Sequence, residues 1–260
     1  MSLDIQLLLK AYANGMFPMA DSREDPETFW VEPKTRAILP LDGLLVSGSL
    51  AKTIRQDRFR VTTDAAFAQV IAACAAVTNE RLETWINPEI EDAFLALHDM
   101  GHTHSIECWH GDVLVGGLYG LAMGRAFFGE SMFSRATDAS KVALAWLVAR
   151  LRVGGFILLD CQFMTDHLAS LGVIEIGQAA YLQRLHSALD KDQVSMVVSS
   201  TTTSSGASTG AGAAFGDWGA LDGFLAAAGP AGTGSSGEDP TPGASSSPGK
   251  LILHSLTQTS

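Results

Sequence analysis

The sequence predicts an α+β fold with a mixed, mostly antiparallel sheet flanked by helices. Two strand-like stretches, His104–His110 and Val113–Leu121, flank Gly111-Asp112, a pair typical of a hairpin turn. A hairpin, a further strand, a helix and another strand, in that order, are the layout of a mixed sheet with a crossover helix. The segments that follow the hairpin are a strand, a helix and a strand, at Arg125–Gly129, Asp138–Leu151 and Phe156–Gln162.

The segments on either side of this core are predicted from hydrophobic spacing and from capping residues. Residues 3–14 form a helix because Leu8 and Tyr12 recur on one face and an Asn-Gly pair ends it. Pro88 suits the first turn of a later helix. FPMADSREDP is predicted as loop and FWVEPKTRAILPLD as extended chain. The other predicted elements are helices at Ser49–Asp57, Ala65–Ala76, Asn87–Met100, Asp166–Leu171 and Gln178–Leu189, and a strand at Phe59–Thr62.

Composition indicates an ordinary water-soluble protein with one weakly charged segment. Of 260 residues, 47% are hydrophobic and 17% are charged. The longest apolar runs, such as Val142–Val148, fall short of the roughly 20 residues that a membrane span needs. The N-terminus lacks a basic leader, and the three cysteines form neither a disulfide framework nor a metal pattern. We therefore expect a cytoplasmic protein with no membrane contact.

The chain is expected to divide into four segments. Near Met196 the composition changes to Ser, Thr, Gly, Ala and Pro, which cannot bury enough apolar surface to become ordered. An apolar patch around Trp218 could form one short helix. Deletion of residues 200–246 is expected to leave activity largely intact. The predicted segments are a small N-terminal α/β domain (1–62), the main domain (63–195), a low-complexity linker (196–248), and a C-terminal segment with strand-like apolar content that could dock on the domain (249–260).

The stretch Phe127–Arg135, reading FFGESMFSR, is the first candidate site. It places an acid and a base beside apolar side chains without an amphipathic period, and Asp138 and Ser140 after it are typical of a helix start. A strand that runs into a helix N-terminus directs backbone N–H groups towards an anion or a reacting carbonyl. The alternative is a structured turn without function.

Asp160 and Gln162, at the end of the predicted strand FILLDCQ, are the second candidate site. Because they are two residues apart, they point to the same face, and Cys161 points to the other. A carboxylate and a carboxamide are costly to bury unless they are used. The alternative is a hydrogen-bonded pair that caps the next loop. Cys161 is expected to be a small core residue, although His167 could approach it in space.

A basic cluster interrupts an otherwise acidic chain. The net charge of −11 argues against a broad nucleic-acid surface but allows a local strip. Lys52, Arg55, Arg58 and Arg60 form such a cluster, and Arg135 lies near the first candidate site. Ordinary solvated charges are the alternative explanation.

Neither a metal nor a cofactor is predicted. The histidines around the hairpin have no spacing that provides a third ligand, and the phosphate-cradling, dinucleotide-binding and nucleophile-elbow motifs are absent. The residues considered as metal ligands are His98, His102, His104, His110 and Glu107.

Several segments, in fixed order, resemble the leucyl/phenylalanyl-tRNA–protein transferases. They read GHTHSIECW, DVLVGGLYGLAMGRAFFGESMFSR, DASKVAL and LLDCQFMTDHLASLG, and the resemblance extends to NGMFP, RFRVTTD and TWI. It implies a GNAT-type acyltransferase fold behind a smaller N-terminal domain. It also implies transfer of Leu or Phe from aminoacyl-tRNA to proteins that begin with Arg or Lys, in the N-degron degradation pathway.

The resemblance implies roles for the two candidate sites. Asp160 and Gln162 match the family's catalytic or substrate-orienting pair, and Glu130 matches its acidic partner. The reaction would be ester aminolysis by an α-amine. Since such an amine has a pKa near 7.7–8.0, it needs no strong base, and positioning should supply much of the rate. Whether Asp160 removes the proton or only orients is left open.

The remaining implied roles concern the donor. Leu118, Phe127 and Met132 match positions that line an apolar pocket, which should accept Leu, Phe and Met. Trp85 matches an aromatic near the terminal adenosine of the tRNA, whereas Met19 stands where many family members have Trp. The candidate contacts to tRNA phosphate are Arg55, Arg58, Arg60 and Arg135.

Two alternatives to a monomeric tRNA-dependent transferase remain. A GNAT-type acetyltransferase would use acetyl-CoA, but the usual pyrophosphate loop is absent from Arg135–Lys141. A non-enzymatic module could instead bind basic N-termini through Glu130 and Asp160.

Overall fold

The computed structural model describes residues 3–77, 83–189, 215–228 and 247–257. Its strands are β1 (Phe17–Met19), β2 (Phe29–Val31), β3 (Thr35–Ile38), β4 (Arg60–Thr63), β5 (Thr103–His110), β6 (Val113–Met123), β7 (Ala126–Ser134), β8 (Leu158–Gln162) and β9 (Ile174–Gly177). Its helices are α1 (Ile5–Ala13), α2 (Gly48–Arg55), α3 (Phe67–Ala75), α4 (Pro88–Asp99), α5 (Ala139–Val153), α6 (Asp166–Ala169), α7 (Gln178–Ala188), α8 (Ala220–Ala228) and α9 (Pro248–Thr257).

A seven-stranded sheet in the order β4-β5-β6-β7-β8-β3-β9 forms the centre of the protein. Every neighbouring pair in it is antiparallel except β7 and β8, because α5 carries the chain across one face between them. The predicted mixed, mostly antiparallel sheet is confirmed. β1 and β2 pair in a separate two-stranded sheet.

Helices cover both faces of the large sheet. On one face, α1, α3, α4 and α7 bury Leu8, Val70, Phe94 and Leu185 in a common core. On the other face, α5 lies in a second core with α2, α8 and α9. Since α5 is buried on nearly all sides, its sequence shows little amphipathic period. No helix in the described part of the chain is long and apolar enough to cross a membrane.

A bulge in β7 changes which side chains share a face. Tyr119 of β6 lies opposite Ser131, but the next residue, Gly120, lies opposite Gly129. Glu130 is therefore the extra residue, and the alternation of side chains shifts by one on passing it. As a result, Phe127 and Met132 face the same core although they are five residues apart in sequence.

The structure differs from the sequence prediction at several weak elements. β1 lies in the predicted loop, and its Pro18 is tolerated because the strand has a partner on one side only. β9 was not predicted because its side chains are mostly exposed and show no alternating pattern. The third predicted strand ended at Gly129, whereas β7 continues to Ser134.

The C-terminal segment is a helix rather than a strand. α9 packs against α2 and α5, and Ile252 is fully buried there. The backbone N–H of Gly249 donates to Asp57, and Arg152 donates to the carbonyl oxygen of Leu256 at 2.9 Å. Contacts across three helices explain why the short apolar run, which fits either structure, becomes helical.

Residues 215–228, within the predicted linker, also pack on the domain. The Trp218 ring lies between Phe127, at a centroid distance of 5.4 Å, and the guanidinium of Arg150, at 5.1 Å. Arg150, only 1% exposed, forms a bidentate ion pair with Asp222 of α8. The rest of the predicted linker lies outside the described residues, apart from its last two positions.

Candidate active site

Glu130 and Gln162 meet just beyond the point where β7 and β8 stop pairing. The last paired residues are Phe128 and Asp160. Further along, Nε2 of Gln162 donates a hydrogen bond to Oε1 of Glu130 at 3.3 Å. Both side chains are buried and line a cavity of about 300 Å³. The structure thus joins one member of each predicted site.

Asp160 lies behind this pair and outside the cavity wall. It is fully buried and forms a bidentate ion pair with Arg36, in which Nη2 lies 2.6 Å from Oδ2. Tyr181 donates its hydroxyl to Oδ2 at 2.8 Å, and the backbone N–H of Gln162 donates to Oδ1 at 2.9 Å. A buried charge of this kind is stable because it is paired and fully hydrogen-bonded.

Glu130 has unusual electrostatics. The pKa of its carboxyl is raised to about 8, chiefly by burial and also by the negative charge of Asp160, whereas Tyr12 and Arg36 act in the opposite direction. The pKa of Tyr12 is in turn raised well above its ordinary value by burial and by Glu130. Near neutral pH, Glu130 can therefore exchange a proton or be ionised by a bound cation.

The rest of the cavity is mainly apolar. Leu118 and Met132 lie in its wall as predicted from the resemblance, together with Trp85 at its side. Met19 lines it as well. The other apolar side chains in the wall come from β1, α5, β8 and the segment around α6; they are Phe17, Leu144, Leu147, Leu159, Phe163 and Leu168.

Phe127 was predicted to line the same pocket, but it does not line the cavity. It is fully buried in the core, and its ring stacks on Trp218 with an interplanar angle of 7°. Along β7 the cavity wall runs from Gly129 to Met132, so Phe127 shares the core of Met132 without reaching the cavity.

Cys161 and His167 both line the cavity, so Cys161 is not simply a core residue. Burial, reinforced by Asp160, raises the pKa of the Cys161 thiol. The pKa of His167 is lowered by burial and by Lys141. A protonated thiol is a poor nucleophile, so the pair does not form a cysteine–histidine couple.

The predicted basic residues lie on the surface. Arg55, Arg58 and Arg60 are exposed around the end of α2 and the start of β4. Arg60 lies over the ring of Trp109, with Cζ at 5.1 Å from its centroid, and Arg135 is held over Phe133 at 5.2 Å. Contact of this kind with a ring orients a guanidinium, and Arg135 also donates from Nη1 to the carbonyl oxygen of Leu114 at 3.4 Å.

The histidines considered as metal ligands have other partners. Nδ1 of His104 lies 2.8 Å from Asp64, and Nδ1 of His98 lies 2.7 Å from the carbonyl oxygen of Thr103. Glu107 is buried against Ser105 and Thr62. Within residues 3–77, 83–189, 215–228 and 247–257, no group of three His, Cys, Asp or Glu side chains could hold a metal ion.

Sequence reasoning missed Arg36, Tyr181 and Tyr12, which surround the candidate pair. Arg36 is 1% exposed inside the apolar strand TRAI, and an arginine in such a position requires a buried acid. That signal was present in the sequence. The two tyrosines carry none, because their spacing in α1 and α7 is that of ordinary core residues.

The candidate site is thus an apolar cavity in an α+β fold, and it ends in a carboxyl and a carboxamide. The family model described as leucyl/phenylalanyl-tRNA protein transferase matches residues 38–186, and the model for the N-terminal domain of the same family matches residues 1–34. The chain therefore belongs to the leucyl/phenylalanyl-tRNA–protein transferase family, and it is an aminoacyltransferase.

The names of similar proteins support the same family assignment. A leucyl/phenylalanyl-tRNA–protein transferase from Rhizorhabdus wittichii is 64% identical over 72% of this chain and 76% of its own length. One from Zymomonas mobilis is 63% identical over 72% of this chain and 70% of its own. A third, from Novosphingobium aromaticivorans, is 54% identical over 98% of this chain and 96% of its own, so the alignment includes the C-terminal region. A solved C-terminal domain assigned to a lysylphosphatidylglycerol synthetase of Agrobacterium fabrum is 11% identical to this chain, with a TM-score of 0.34 over 69% of this chain and 61% of its own. A likeness this weak supports no conclusion about fold or function.

Proposed function

We propose that the protein transfers Leu, Phe or Met from aminoacyl-tRNA to the α-amine of proteins that begin with Arg or Lys. The observation that carries this proposal is the apolar cavity with Glu130 and Gln162 at its polar end. The cavity holds the donor side chain, and the polar end holds the acceptor. The product is a new N-terminal residue on the acceptor protein, which enters the N-degron degradation pathway.

The donor side chain occupies the apolar part of the cavity. The part of the 300 Å³ cavity lined by Leu118, Met132 and Leu159 is apolar, so the side chains of Leu, Phe and Met fit there and polar ones are disfavoured. Trp85, at the side of the cavity, is positioned to stack on the terminal adenosine.

The acceptor amine lies between Gln162 and Glu130. The neutral amine forms the new C–N bond as the ester C–O bond breaks, and the ribose oxygen leaves with a proton. The side-chain carbonyl of Gln162 accepts a hydrogen bond from the attacking amine, and Glu130 attracts the acceptor's positive charge. Because an α-amine titrates near pH 7.7–8.0, a useful fraction is already neutral.

The tRNA binds across the basic face that carries Arg55, Arg58 and Arg60, with Arg135 nearer the cavity. Their exposure and the stacking of Arg60 and Arg135 on aromatic rings support contacts to phosphate. A local basic strip on an acidic chain confines the tRNA to one orientation.

We also propose a GNAT-type fold and a cytoplasmic location for the protein. A GNAT-type core, with splayed parallel strands and a crossover helix, is supported by the β7–α5–β8 unit. For the N-terminal domain, expected at residues 1–62, we propose a limit nearer residue 34; the pairing of β3 and β4 within the large sheet supports this limit. The enzyme acts as a monomer in the cytoplasm, where aminoacyl-tRNA is available.

One experiment separates this function from the two alternatives. The protein is incubated with radiolabelled Leu-tRNA and either an Arg-initiated peptide or its Ala-initiated counterpart. We expect label in the Arg-initiated peptide only, and strong reduction in the Gln162→Ala variant. Labelling from acetyl-CoA would indicate an acetyltransferase, and peptide binding without any transfer would indicate a recognition module.

A further inference from the structure

The carboxylate of Asp160 has no capacity left for a substrate. Its Oδ1 accepts hydrogen bonds from Nε of Arg36 and from the backbone N–H of Gln162, both at 2.9 Å. Its Oδ2 accepts from Arg36 at 2.6 Å and 3.0 Å and from the Tyr181 hydroxyl at 2.8 Å. A carboxylate offers about four lone-pair positions. Asp160 is fully buried and does not line the cavity, so an acceptor amine cannot reach it.

Arg36 is itself fixed on every side. Its Nη1 donates to the carbonyl oxygen of Gly15 at 3.0 Å. The guanidinium carbon lies 4.6 Å from the ring centroids of both Phe17 and Tyr181. The ion pair therefore ties the end of β8 to β3, to α7 and to the loop after α1.

Gln162 depends on this anchor for its conformation. Its φ of 56° lies in the left-handed region, which is unfavourable for a residue with a side chain. The hydrogen bond from its backbone N–H to the carboxylate two residues earlier is the local bond that stabilises such a turn. The turn directs the carboxamide of Gln162 to Glu130.

We propose that Arg36 and Tyr181 are positioning residues of the transfer reaction, which act through Asp160 to hold the left-handed turn at Gln162. Asp160 orients Gln162 and takes no proton from the acceptor. This inference rests on the proposed role of Gln162 in holding the acceptor amine. The sequence left open whether Asp160 removes the proton or only orients. The geometry favours orientation, because Asp160 is buried outside the cavity wall, whereas Gln162 and Glu130 line the cavity.

Tyr181→Phe tests the inference with little risk to the fold, because the ring and its contact with Arg36 are retained. We expect KM for an Arg-initiated peptide to rise, so that kcat/KM for it falls about tenfold, while KM for Leu-tRNA is unchanged. A merely structural loss would reduce the active fraction and lower kcat equally for both substrates, without changing either KM. If Asp160 itself received the proton, freeing one of its oxygens would leave kcat unchanged or raise it, and that result would overturn the inference.

Arg36→Lys has a matched control in Arg150→Lys. Both arginines are 1% exposed, and each forms a bidentate ion pair with a carboxylate, but the hydrogen-bond partners of Arg150 (Thr63, Trp218 and Asp222) do not line the cavity. Both variants are expected to lose stability, since lysine cannot form the bidentate pair. Only Arg36→Lys should lower kcat/KM for the peptide, and equal effects would overturn the inference.

Gln162→Ala distinguishes failure of the inference from failure of the proposed site. If Gln162→Ala impairs the use of the peptide but Tyr181→Phe and Arg36→Lys do not, the positioning inference is wrong and the site stands. If none of the three variants changes peptide kinetics, the assignment of the acceptor site to Gln162 is wrong.

Discussion

Gln162 donates its side-chain amide to Glu130 although the two residues belong to strands that have already ceased to pair. Two backbone irregularities produce this contact. Glu130 is the extra residue of a bulge in β7, and Gln162 has a left-handed φ of 56° at the end of β8. In regular strands neither side chain would be directed along the sheet into the gap. The site therefore depends on departures from regular structure on both sides.

Stability should depend on pH through Glu130. Its pKa of about 8 in the folded protein exceeds the ordinary 4.5, so between these values the folded state binds a proton that the unfolded state releases. The contribution of Glu130 to the free energy of unfolding should therefore be fully present below about pH 4.5 and fall by roughly 4 kcal/mol as the pH rises to 8. Glu130→Gln is neutral throughout and should lack this fall, so its advantage over the parent should grow with pH.

Urea unfolding at pH 5, 6.5, 8 and 9 measures this difference. Glu175→Gln, at an exposed position in β9, is the control for removal of a carboxylate and should follow the parent at each pH. Parallel curves for Glu130→Gln and the parent would show that the carboxyl is not protonated in the folded protein.

Sequence reasoning predicted the sheet and the candidate residues at its centre, but not the contacts that hold those residues in position. The Gly111-Asp112 turn signal and the strand-like stretches beside it predicted β5 and β6, which are long and mostly buried. Sequence reasoning failed at β9 and at the C-terminal helix, where tertiary contacts decide the structure. The bulge at Glu130 and the turn at Gln162 leave no mark in a single sequence, so the position of Phe127 relative to the cavity could not be predicted. Arg36 could have been, since a buried arginine needs an acid.

Met132→Ala should change donor preference. Met132 forms part of the cavity wall, and its truncation leaves room for a larger side chain. We expect the ratio of kcat/KM for Phe-tRNA to that for Leu-tRNA to rise about tenfold, the scale of a few methylene groups in an apolar pocket. Competition between differently labelled Phe-tRNA and Leu-tRNA measures the ratio directly. Phe127→Leu, buried but outside the cavity, should lower stability and leave the ratio unchanged; a change as large as that of Met132→Ala would return Phe127 to the pocket.

Arg60→Ala should weaken tRNA binding in a salt-dependent way. Arg60 is exposed and is oriented by Trp109, as a phosphate ligand would be. Loss of one phosphate contact should raise KM for Leu-tRNA and reduce the slope of log KM against log salt concentration by about 0.7–0.9. Steady-state assays between low and moderate salt provide the slope. Arg184→Ala removes an exposed arginine of α7 outside the cluster and should preserve it; equal slopes for both variants would assign Arg60 to ordinary solvated charge.

Trp218→Ala should destabilise the protein without altering the chemistry. The Trp218 ring stacks on His104 at a centroid distance of 4.2 Å, and its Nε1 donates to Asp64 at 3.0 Å. Although burial acts to raise it, the pKa of the Asp64 carboxyl is lowered by His104, by Ser105 and by this indole. Removing the ring exposes part of the core around α5, so we expect a loss of about 3 kcal/mol in the free energy of unfolding.

Residues 200–246, whose deletion is expected to leave activity largely intact, include the docked segment 215–228. Their deletion should therefore lower the free energy of unfolding. None of the residues that Trp218 contacts lines the cavity, so kcat and both KM values of the folded fraction should stay as in the parent. Phe224→Ala is the matched control, because Phe224 lies in the same segment and is 40% exposed. Equal stability of Trp218→Ala and Phe224→Ala would mean that the segment rests on the domain without stabilising it. A selective change in peptide kinetics in Trp218→Ala would instead connect the C-terminal segment to the active site through Phe127, whose ring stacks on Trp218.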